Sequence, residues 1–360
     1  MANTKVAVFG ASGNIGGHFV SLAPRYDLDV ALTVTGKKGI VDSDGKILLS
    51  ATDNPTDQDV ANQVASFCRD RGVRYAVHAL PSGGRFVHGV TDATHAKTLI
   101  AGGMKCVFAS KSMFANNWSA IQHPMYMRNI GLNAALGGGT GMPNALRYGL
   151  FRHSKHGAKV AMVCNATINF ILSKARAGYP LGVIGGLAVN EGYAERPKDG
   201  QKIDLRSLIE EELEDALRKI ALMLNTFMGV WTERVVDQWL FKISPFTERD
   251  LRVVTSPNSR HWYLVCISTD AGDITEFESC VTGGRISKTV GKLQVEAGFV
   301  NVAAGSPLDK WLPTDAGNAI VIDQNDDSNT TLGTGAGKDA TVGAVMSDLG
   351  AFIRADSGMI

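Results

Sequence analysis

Short apolar runs alternate with amphipathic stretches over the first 110 residues of the chain. The runs Lys5–Phe9, Val30–Val34, Tyr75–Leu80 and Lys105–Ala109 have the length and content of buried strands. A helical stretch from 86 to 102 separates the last two runs. Strands that alternate with helices predict a parallel, doubly wound sheet, in which ligands bind beyond the carboxyl ends of the strands.

The pattern changes from about residue 142. Val160–Cys164, His261–Ser268 and Ile274–Cys280 are predicted to be strands of one sheet. Between Leu205 and Leu224, apolar residues recur at helical spacing, which predicts a long amphipathic helix. This part of the chain is therefore expected to form a second, α+β domain.

A glycine-rich turn joins the first predicted strand to a predicted helix. Gly10 permits the sharp turn, Gly13 allows the backbone to approach a pyrophosphate, and Gly16 lets helix and strand pack closely. The pattern predicts a Rossmann-type dinucleotide-binding domain; the alternative is a plain glycine turn. The residues expected to contact the cofactor lie at strand ends and in this turn: Gly10, Ser12, Gly13, Asn14, Ile15, Leu80, Pro81 and Ser110.

The end of the second predicted strand lacks the acidic residue that would hold a free ribose 2′-hydroxyl. Thr35, Lys37 and Lys38 stand in its place, and a hydroxyl with two ammonium groups suits a 2′-phosphate. The sequence therefore favours NADP over NAD. Solvated turn lysines are the alternative interpretation.

Composition narrows the class of protein. The 360 residues include 36 Lys and Arg against 35 Asp and Glu, so a net charge of +1 gives no basic surface for a nucleic acid. No stretch approaches the ~18 apolar residues of a membrane helix, and the N-terminus does not resemble a signal peptide, so a cytoplasmic protein is expected. The five cysteines contain no CxxC pair and are expected to be reduced and buried.

Two lysines are candidates for chemistry. Lys111 follows a predicted strand at the expected mouth of the cofactor site, although an exposed loop lysine has the same pattern. Lys219 stands four residues after Asp215 beside the apolar stripe of the long helix. On spacing alone, that pair is also explained by a surface ion pair worth only about 0.3–0.5 kcal/mol.

Several segments, in their order along the chain, resemble motifs of the homoserine dehydrogenase family. Lys111 takes the lysine position of a Thr-Ala-Asn-Lys-like turn, and Asp215 and Lys219 take the Asp and Lys positions of the family's helix. The segments are CVFASKSMFANNW (106–118), GLNAALGGGTGMPNAL (131–146), CNATINFIL (164–172), NEGYAERP (190–197), DALRKIALML (215–224), SPLDKWLPTDAGNAIVI (306–322) and GTGAGKDATVGAVMSDL (333–349).

The resemblance implies a nucleotide-binding domain of residues 1–141 and 335–360 and a catalytic and dimerisation domain of residues 142–334. It implies NAD(P)-dependent interconversion of L-homoserine and L-aspartate 4-semialdehyde in a homodimer. Lys219 becomes the candidate acid/base and Asp215 the carboxylate that orients it, while Lys111 polarises the carbonyl or anchors substrate. The remaining implied residues are Glu195, Thr167 and Tyr193 for the substrate, Gly335 for the cofactor, and Asn133, Leu136, Gly138 and Thr140, whose backbone carbonyls would bind Na⁺ or K⁺.

Some positions depart from the family pattern. Asn133 stands where Glu is usual, and Arg196–Lys198 replaces a second aspartate. Asp204 competes with Asp215 for the catalytic alignment, but Leu208 occupies the place where its lysine should be. These departures leave open a related oxidoreductase for another small hydroxy or keto amino acid, and a non-catalytic NADP sensor. A sensor needs no proton relay, so Lys111, Asp215 and Lys219 favour an enzyme.

Overall fold

The chain is described from a computed structural model, which covers residues 3–82, 86–153, 159–194, 203–270, 274, 277, 280–306, 308–324 and 327–358. The chain divides into two compact units. Unit 1 comprises residues 1–135 and 341–360, and unit 2 comprises residues 136–340. The functional domain bounds expected from the sequence, 141/142 and 334/335, lie close to these divisions.

Unit 1 contains a sheet whose strands run in the order β4-β3-β2-β1-β5-β6-β7. Neighbours are parallel from β2 to β7, which confirms the expected doubly wound parallel sheet. The strands are β1 (Thr4–Phe9), β2 (Leu28–Thr35), β3 (Gly39–Asp42), β4 (Ile47–Leu49), β5 (Tyr75–His78), β6 (Lys105–Phe108) and β7 (Ile130–Gly131).

Helices connect the parallel strands of unit 1, and apolar residues of β1, β5 and β6 form its core with those of the connecting helix that follows β1. The C-terminal helix also contributes Val345 and Leu349 to this core. The helices that precede residue 136 are α1 (Asn14–Leu22), α2 (Asp57–Arg71), α3 (Val90–Ala101), α4 (Ser112–Asn116) and α5 (Pro124–Met127).

The antiparallel hairpin of β3 and β4 extends the sheet beyond β2 and is not part of the sequence-based prediction. Its turn is built locally: the Asp42 carboxylate accepts hydrogen bonds from the backbone N–H groups of Asp44 and Lys46. Gly45 supplies the positive φ of +81° that this turn requires. The strands are too short for their apolar residues to show a clear period.

Unit 2 contains an antiparallel sheet in the order β10-β11-β9-β8-β12-β13. Its strands are β8 (Lys159–Val163), β9 (His261–Ser268), β10 (Ile286–Val290), β11 (Leu293–Asn301), β12 (Gly317–Gln324) and β13 (Asp327–Thr334). The helices that follow residue 136 are α6 (Met142–His153), α7 (Ala166–Arg176), α8 (Leu181–Asn190), α9 (Leu205–Phe227), α10 (Gly229–Thr232), α11 (Glu248–Val254) and α12 (Lys338–Asp356).

One predicted strand of unit 2 is wrong. Of the segment 274–280, the residues that the structure describes are Ile274, Phe277 and Cys280, and none lies in a strand. Their apolar side chains pack against the core that residues of β8 and β9 form. These side chains are buried or partly buried against the sheet without belonging to it, and β11 is the strand beside β9.

The predicted long helix is present as α9 and extends to Phe227. Asp204 is its N-cap, and its carboxylate accepts hydrogen bonds from the N–H groups of Arg206 and Ser207. This position gives Asp204 a structural role at the start of the helix. Among the described residues, no helix has the length and apolar content needed to cross a membrane.

Candidate active site

The glycine-rich turn between β1 and α1 has the geometry of a dinucleotide cradle. Gly10 adopts a φ of +76°, and a Cβ there would lie 2.4 Å from the carbonyl oxygen of Ala79, next to Leu80. A Cβ at Gly16 would lie 2.2 Å from the carbonyl oxygen of Gly10. Gly13 is the N-cap of α1 and provides no side-chain cap, so this end of the helix suits an anion.

The turn after β2 carries the residues predicted to select NADP. Lys37 and Lys38 are exposed between β2 and the antiparallel β3. The Thr35 hydroxyl accepts a hydrogen bond of 3.1 Å from the Lys38 N–H and fixes the turn. The N–H of Gly10 donates to the carbonyl of Val34, so the glycine turn and the end of β2 are adjacent. Lys37 and Lys38 therefore follow the end of β2, beside the glycine turn.

The loops that follow β5 and β6 meet at the same edge of the sheet. The Lys111 N–H donates to Ser82 Oγ at 3.3 Å, and Ser112 Oγ donates to the Ser82 carbonyl at 3.0 Å. Ser82 directly follows Leu80 and Pro81, so these hydrogen bonds join the two loops that carry predicted cofactor residues. Ser110 is buried, in contrast to the exposed turn residues around Gly13.

In unit 2, Lys219 makes two short polar contacts. Its Nζ lies 2.7 Å from Asp215 Oδ2 and donates a hydrogen bond of 2.7 Å to the carbonyl oxygen of Cys164. The side chains are 10% and 17% exposed for Lys219 and Asp215, so the surface-pair interpretation does not describe them. A paired and partly enclosed ammonium group is suited to exchange a proton with a substrate oxygen.

Two opposing influences act on the pKa of Lys219. Burial by itself lowers the pKa of Lys219, but the nearby Asp215 carboxylate raises it, and the net direction is upward. The charge of its partner therefore outweighs burial at this site. Lys219 is therefore an ammonium group at neutral pH.

A second contact, which no sequence pattern indicates, connects α9 to the junction between β8 and α7. Asn165 Nδ2 donates to the backbone carbonyl of Glu212 at 2.9 Å and to its carboxylate at 2.8 Å. The Asn165 Oδ1 accepts from Ile168 N–H and caps α7. Glu212 and Lys219 are seven residues apart on one face of α9, and Asp215 lies between them on that face. Glu212 contacts Asn165 and Lys219 contacts Cys164, so both bind the Cys164–Asn165 junction.

Two of the three predicted substrate residues, Thr167 and Tyr193, are connected by a hydrogen bond. Thr167 is buried, and its hydroxyl donates to the carbonyl of Tyr193 at 2.8 Å. The Tyr193 ring is half-buried and packs 4.9 Å from the Phe170 ring. The Thr167 hydroxyl therefore ties the first turn of α7 to the end of α8. Glu195 and the segment Arg196–Lys198 lie outside the described residues.

Two glycine-rich turns of unit 2 pack backbone to backbone. A Cβ at Gly138 would lie 2.9 Å from the carbonyl oxygen of Gly335, and a Cβ at Gly333 would lie 2.9 Å from Thr140 Cα. Asn318 Nδ2 donates to the Gly335 carbonyl at 3.4 Å. Leu136 and Thr140 are buried in this arrangement. Only glycine permits the close approach of these two turns.

Asn133 lies in unit 1 and is tied to the C-terminal helix. Its backbone N–H donates to Asp348 Oδ2 at 2.8 Å, and its Nδ2 donates to Asp348 Oδ1 at 2.5 Å. A glutamate at 133 would instead face the buried Asp348 with a like charge. Asp348 therefore gives a physical reason for asparagine at this position. Among the described residues, Asn133 Oδ1 has no hydrogen-bond partner.

All five cysteines are free thiols, as predicted, and Cys280 is the partly exposed one. Burial raises the pKa of Cys164 to about 11. This residue therefore contributes to the site through its backbone carbonyl and not through a thiolate. Within the described ranges, no group of three or more His, Cys, Asp or Glu side chains has the arrangement of a metal site.

Comparisons with known proteins agree with this arrangement. The sequence profile of the homoserine dehydrogenase family matches residues 150–349, which is more than half of the chain. No curated protein matches the chain by sequence.

Solved structures show the same fold at low sequence identity. A homoserine dehydrogenase from Thermoplasma acidophilum superposes with a TM-score of 0.67 at 16% identity, over 98% of this chain and 99% of that one. One from Thiobacillus denitrificans gives 0.59 at 20% identity, over 96% and 72%. A hyperthermophilic archaeal homoserine dehydrogenase in complex with NADPH gives 0.59 at 15% identity, over 99% and 98%.

The matched segment contains α7, β8, the glycine-rich turn at 333–337 and the helix that carries Asp215 and Lys219. Together with the parallel sheet and glycine cradle of unit 1, it establishes that the chain is an NAD(P)-dependent oxidoreductase and belongs to the homoserine dehydrogenase family.

Proposed function

We propose that the chain catalyses the reversible NADP-dependent oxidation of L-homoserine to L-aspartate 4-semialdehyde. The contact that carries the proposal is the Asp215–Lys219 pair, 2.7 Å apart, in the segment that the family profile matches. Oxidation of an alcohol requires an acceptor for the hydroxyl proton and one for the hydride of the same carbon. The nicotinamide ring supplies the hydride acceptor when the cofactor is bound.

Lys219 exchanges the proton with the oxygen on the reacting carbon. Its raised pKa makes the ammonium form dominant at neutral pH, and this form donates a proton during reduction of the aldehyde. Oxidation needs the neutral amine, so its rate rises with pH. Asp215 and the Cys164 carbonyl orient the Nζ atom. Lys111 remains a second candidate for contact with the reacting oxygen.

The residues of unit 1 fit NADP. The glycine cradle leaves room for a pyrophosphate at the start of α1, and the turn after β2 holds Lys37 and Lys38 with no carboxylate at the end of that strand. The crevice outside β1 and β5, where the strand order reverses, is the expected binding place. NADPH is also the ligand of the hyperthermophilic archaeal structure with the same fold.

Three further proposals rest on the family. Glu195 pairs with the ammonium group of the substrate, while Thr167 and Tyr193 complete the amino-acid pocket. Na⁺ or K⁺ binds backbone carbonyls in the segment that contains Asn133 and Gly138, and the buried unpartnered Asn133 Oδ1 supports an oxygen-seeking cation near that residue. The chain forms a homodimer; size measured by light scattering tests this.

NADPH formation with L-homoserine at alkaline pH, followed by absorbance, tests the activity. Lys219→Met should lower kcat by about 10²–10⁴-fold because a positioned acid/base is lost. Lys292→Ala is the matched control, since Lys292 forms a 3.1 Å pair with Glu233 in which both side chains are more than half exposed. Turnover of another hydroxy amino acid with none of homoserine would reassign the substrate, and no turnover of any would favour the sensor.

A further inference from the structure

A group of polar side chains lies buried behind the cofactor edge of unit 1, where a parallel sheet is normally apolar. Asp92 is 1% exposed, Ser110 is 1% exposed and His78 is fully buried. Burying polar groups is unfavourable unless hydrogen bonds compensate. The group includes no residue to which the proposed reaction assigns a role, except Ser110.

Ser110 and Asp92 form the central contact of this group. Ser110 Oγ donates a hydrogen bond to Asp92 Oδ2. Ser110 lies two residues after β6, directly before Lys111, whereas Asp92 lies in the first turn of α3. A carboxylate is favoured there by the free N–H groups of a helix start. The Ser110 hydroxyl, at the start of the turn that leads into Lys111, is therefore bound by a side chain of α3.

The surroundings of Asp92 keep its carboxyl group for this contact. Asp92 Oδ1 has no hydrogen-bond partner among the described residues, and His78 Nδ1 lies 4.0 Å from it. Burial lowers the pKa of His78 well below its ordinary value, so this ring is neutral and forms no ion pair. Burial also raises the pKa of Asp92 to about 7. The hydrogen bond from Ser110 lowers this pKa, and the like charge of Asp57 raises it.

The start of α3 is packed rigidly against the same turn. Gly89, the N-cap of α3, adopts a φ of +66°, and a Cβ there would lie 2.4 Å from the backbone of Met113. Asn116 Nδ2 donates to the carbonyl of Val87 at 2.6 Å. The backbone on both sides of the Ser110–Asp92 bond is therefore fixed in place, so this bond determines the rotamer of Ser110 and the path into Lys111.

The same turn connects to the loop after β5. Lys111 N–H and Ser112 Oγ both bond Ser82, which follows the predicted cofactor residues Leu80 and Pro81. A change at Asp92 would reach both loops that line the cofactor edge through these bonds. A displacement of about 1 Å in such a site can cost ~10²-fold in rate.

We infer that Asp92 is a positioning residue: its buried carboxyl group holds Ser110 and thereby sets the Ser110–Lys111 turn for NADP(H) and for the reaction. Asp92 itself contacts neither cofactor nor substrate in this scheme. The inference rests on the proposed function for the effect on turnover, but its effect on NADPH binding is independent of the substrate.

Two substitutions at Asp92 test the inference. Asp92→Ala removes the acceptor and should raise the Kd for NADPH and lower kcat, each on the order of tenfold to hundredfold. Asp92→Asn keeps an oxygen acceptor of the same shape and should restore most of both values. NADPH fluorescence gives Kd, steady-state assays give kcat and KM, and thermal melting reports folding.

The control is Asp356→Asn, at the opposite ends of the same two strands. Asp356 accepts a hydrogen bond of 2.8 Å from Tyr75 and pairs with Lys105, the first residues of β5 and β6. This variant should lower Tm and leave Kd and kcat unchanged. A folded Asp92→Ala variant with parental Kd and kcat would overturn the inference, as would equal damage in Asp92→Asn.

A double-mutant cycle decides the matter if Asp92→Ala does not fold. In Ser110→Ala, the carboxyl group has lost its donor, so adding Asp92→Asn should not change Kd further, although Asp92→Asn alone raises it slightly. A change in Kd when Asp92→Asn is added to Ser110→Ala, or a Kd for Asp92→Asn alone as high as that of Ser110→Ala, would refute the positioning role. If the parent protein binds NADPH but does not oxidise homoserine, the proposed function fails while these Kd comparisons still test Asp92.

Discussion

The Asp215–Lys219 pair predicts the pH dependence of the reaction. Asp215→Asn removes the charge that raises the pKa of Lys219 and keeps a side chain of similar shape. The pKa of Lys219 should then fall, because burial still lowers it while the charge and hydrogen bond of Asp215 no longer raise it. The amine form should become available at lower pH, so the rising limb of homoserine oxidation should move toward neutral pH.

The distance in the structure sets the size of this effect. Two unit charges 2.7 Å apart interact by about 6 kcal/mol at an effective dielectric constant of ~20. Both side chains retain some exposure, so solvent screening reduces this value. A quarter of it, about 1.4 kcal/mol, already changes the ratio of amine to ammonium tenfold at a given pH.

The assay measures kcat/KM for homoserine oxidation from neutral to alkaline pH in the parent and in Asp215→Asn. The parent rate should rise about tenfold per pH unit while Lys219 is mostly an ammonium group. The variant should be slower at its plateau, because Lys219 is less well oriented, but it should reach that plateau at lower pH. An unmoved limb, or a shift to higher pH, would refute the assignment of Lys219 as the titrating group.

Three other substitutions test the remaining parts of unit 1. Replacing Lys37 and Lys38 together with Ala should raise the Kd for NADPH about tenfold, or ~1.4 kcal/mol, with little change for NADH, as measured by fluorescence. Gly16→Ala places a Cβ 2.2 Å from a backbone oxygen of the cradle, so dinucleotide binding should be lost and the free energy of unfolding should fall by ~1–3 kcal/mol. Asp348→Ala leaves both N–H donors of Asn133 unpaired and should destabilise the protein by about 1–3 kcal/mol in urea unfolding.

Each of these has a contrary outcome. Equal affinity for NADPH and NADH in the parent would remove the argument from Lys37 and Lys38. A Gly16→Ala protein with parental NADPH affinity would show that the turn adapts to a methyl group. Unchanged urea stability in Asp348→Ala would mean that water replaces the carboxylate at no cost.

Local features of the sequence were sufficient to predict the parallel sheet and the glycine turn. Strand, turn and helix follow one another between residues 4 and 22, so spacing alone encodes their order. The pairing of Asp215 with Lys219 is also local, because residues four apart on a helix lie on the same face. The segment 274–280 shows the limit of such reasoning: its apolar residues Ile274, Phe277 and Cys280 indicate burial, and side chains that pack on a sheet are buried in the same way as those of a strand.

Only the tertiary structure determined which groups surround the local motifs. Lys219 meets the carbonyl of Cys164, 55 residues away, and Asn133 meets Asp348, 215 residues away. Ser110, which follows β6, is hydrogen-bonded to Asp92 of α3, 18 residues away. Whether Lys219 is charged depends on the balance between its burial and its partner, and this balance is a property of the folded site. Periodicity specifies elements because it acts through neighbours along the chain, whereas protonation and hydrogen-bond partners depend on packing between distant segments.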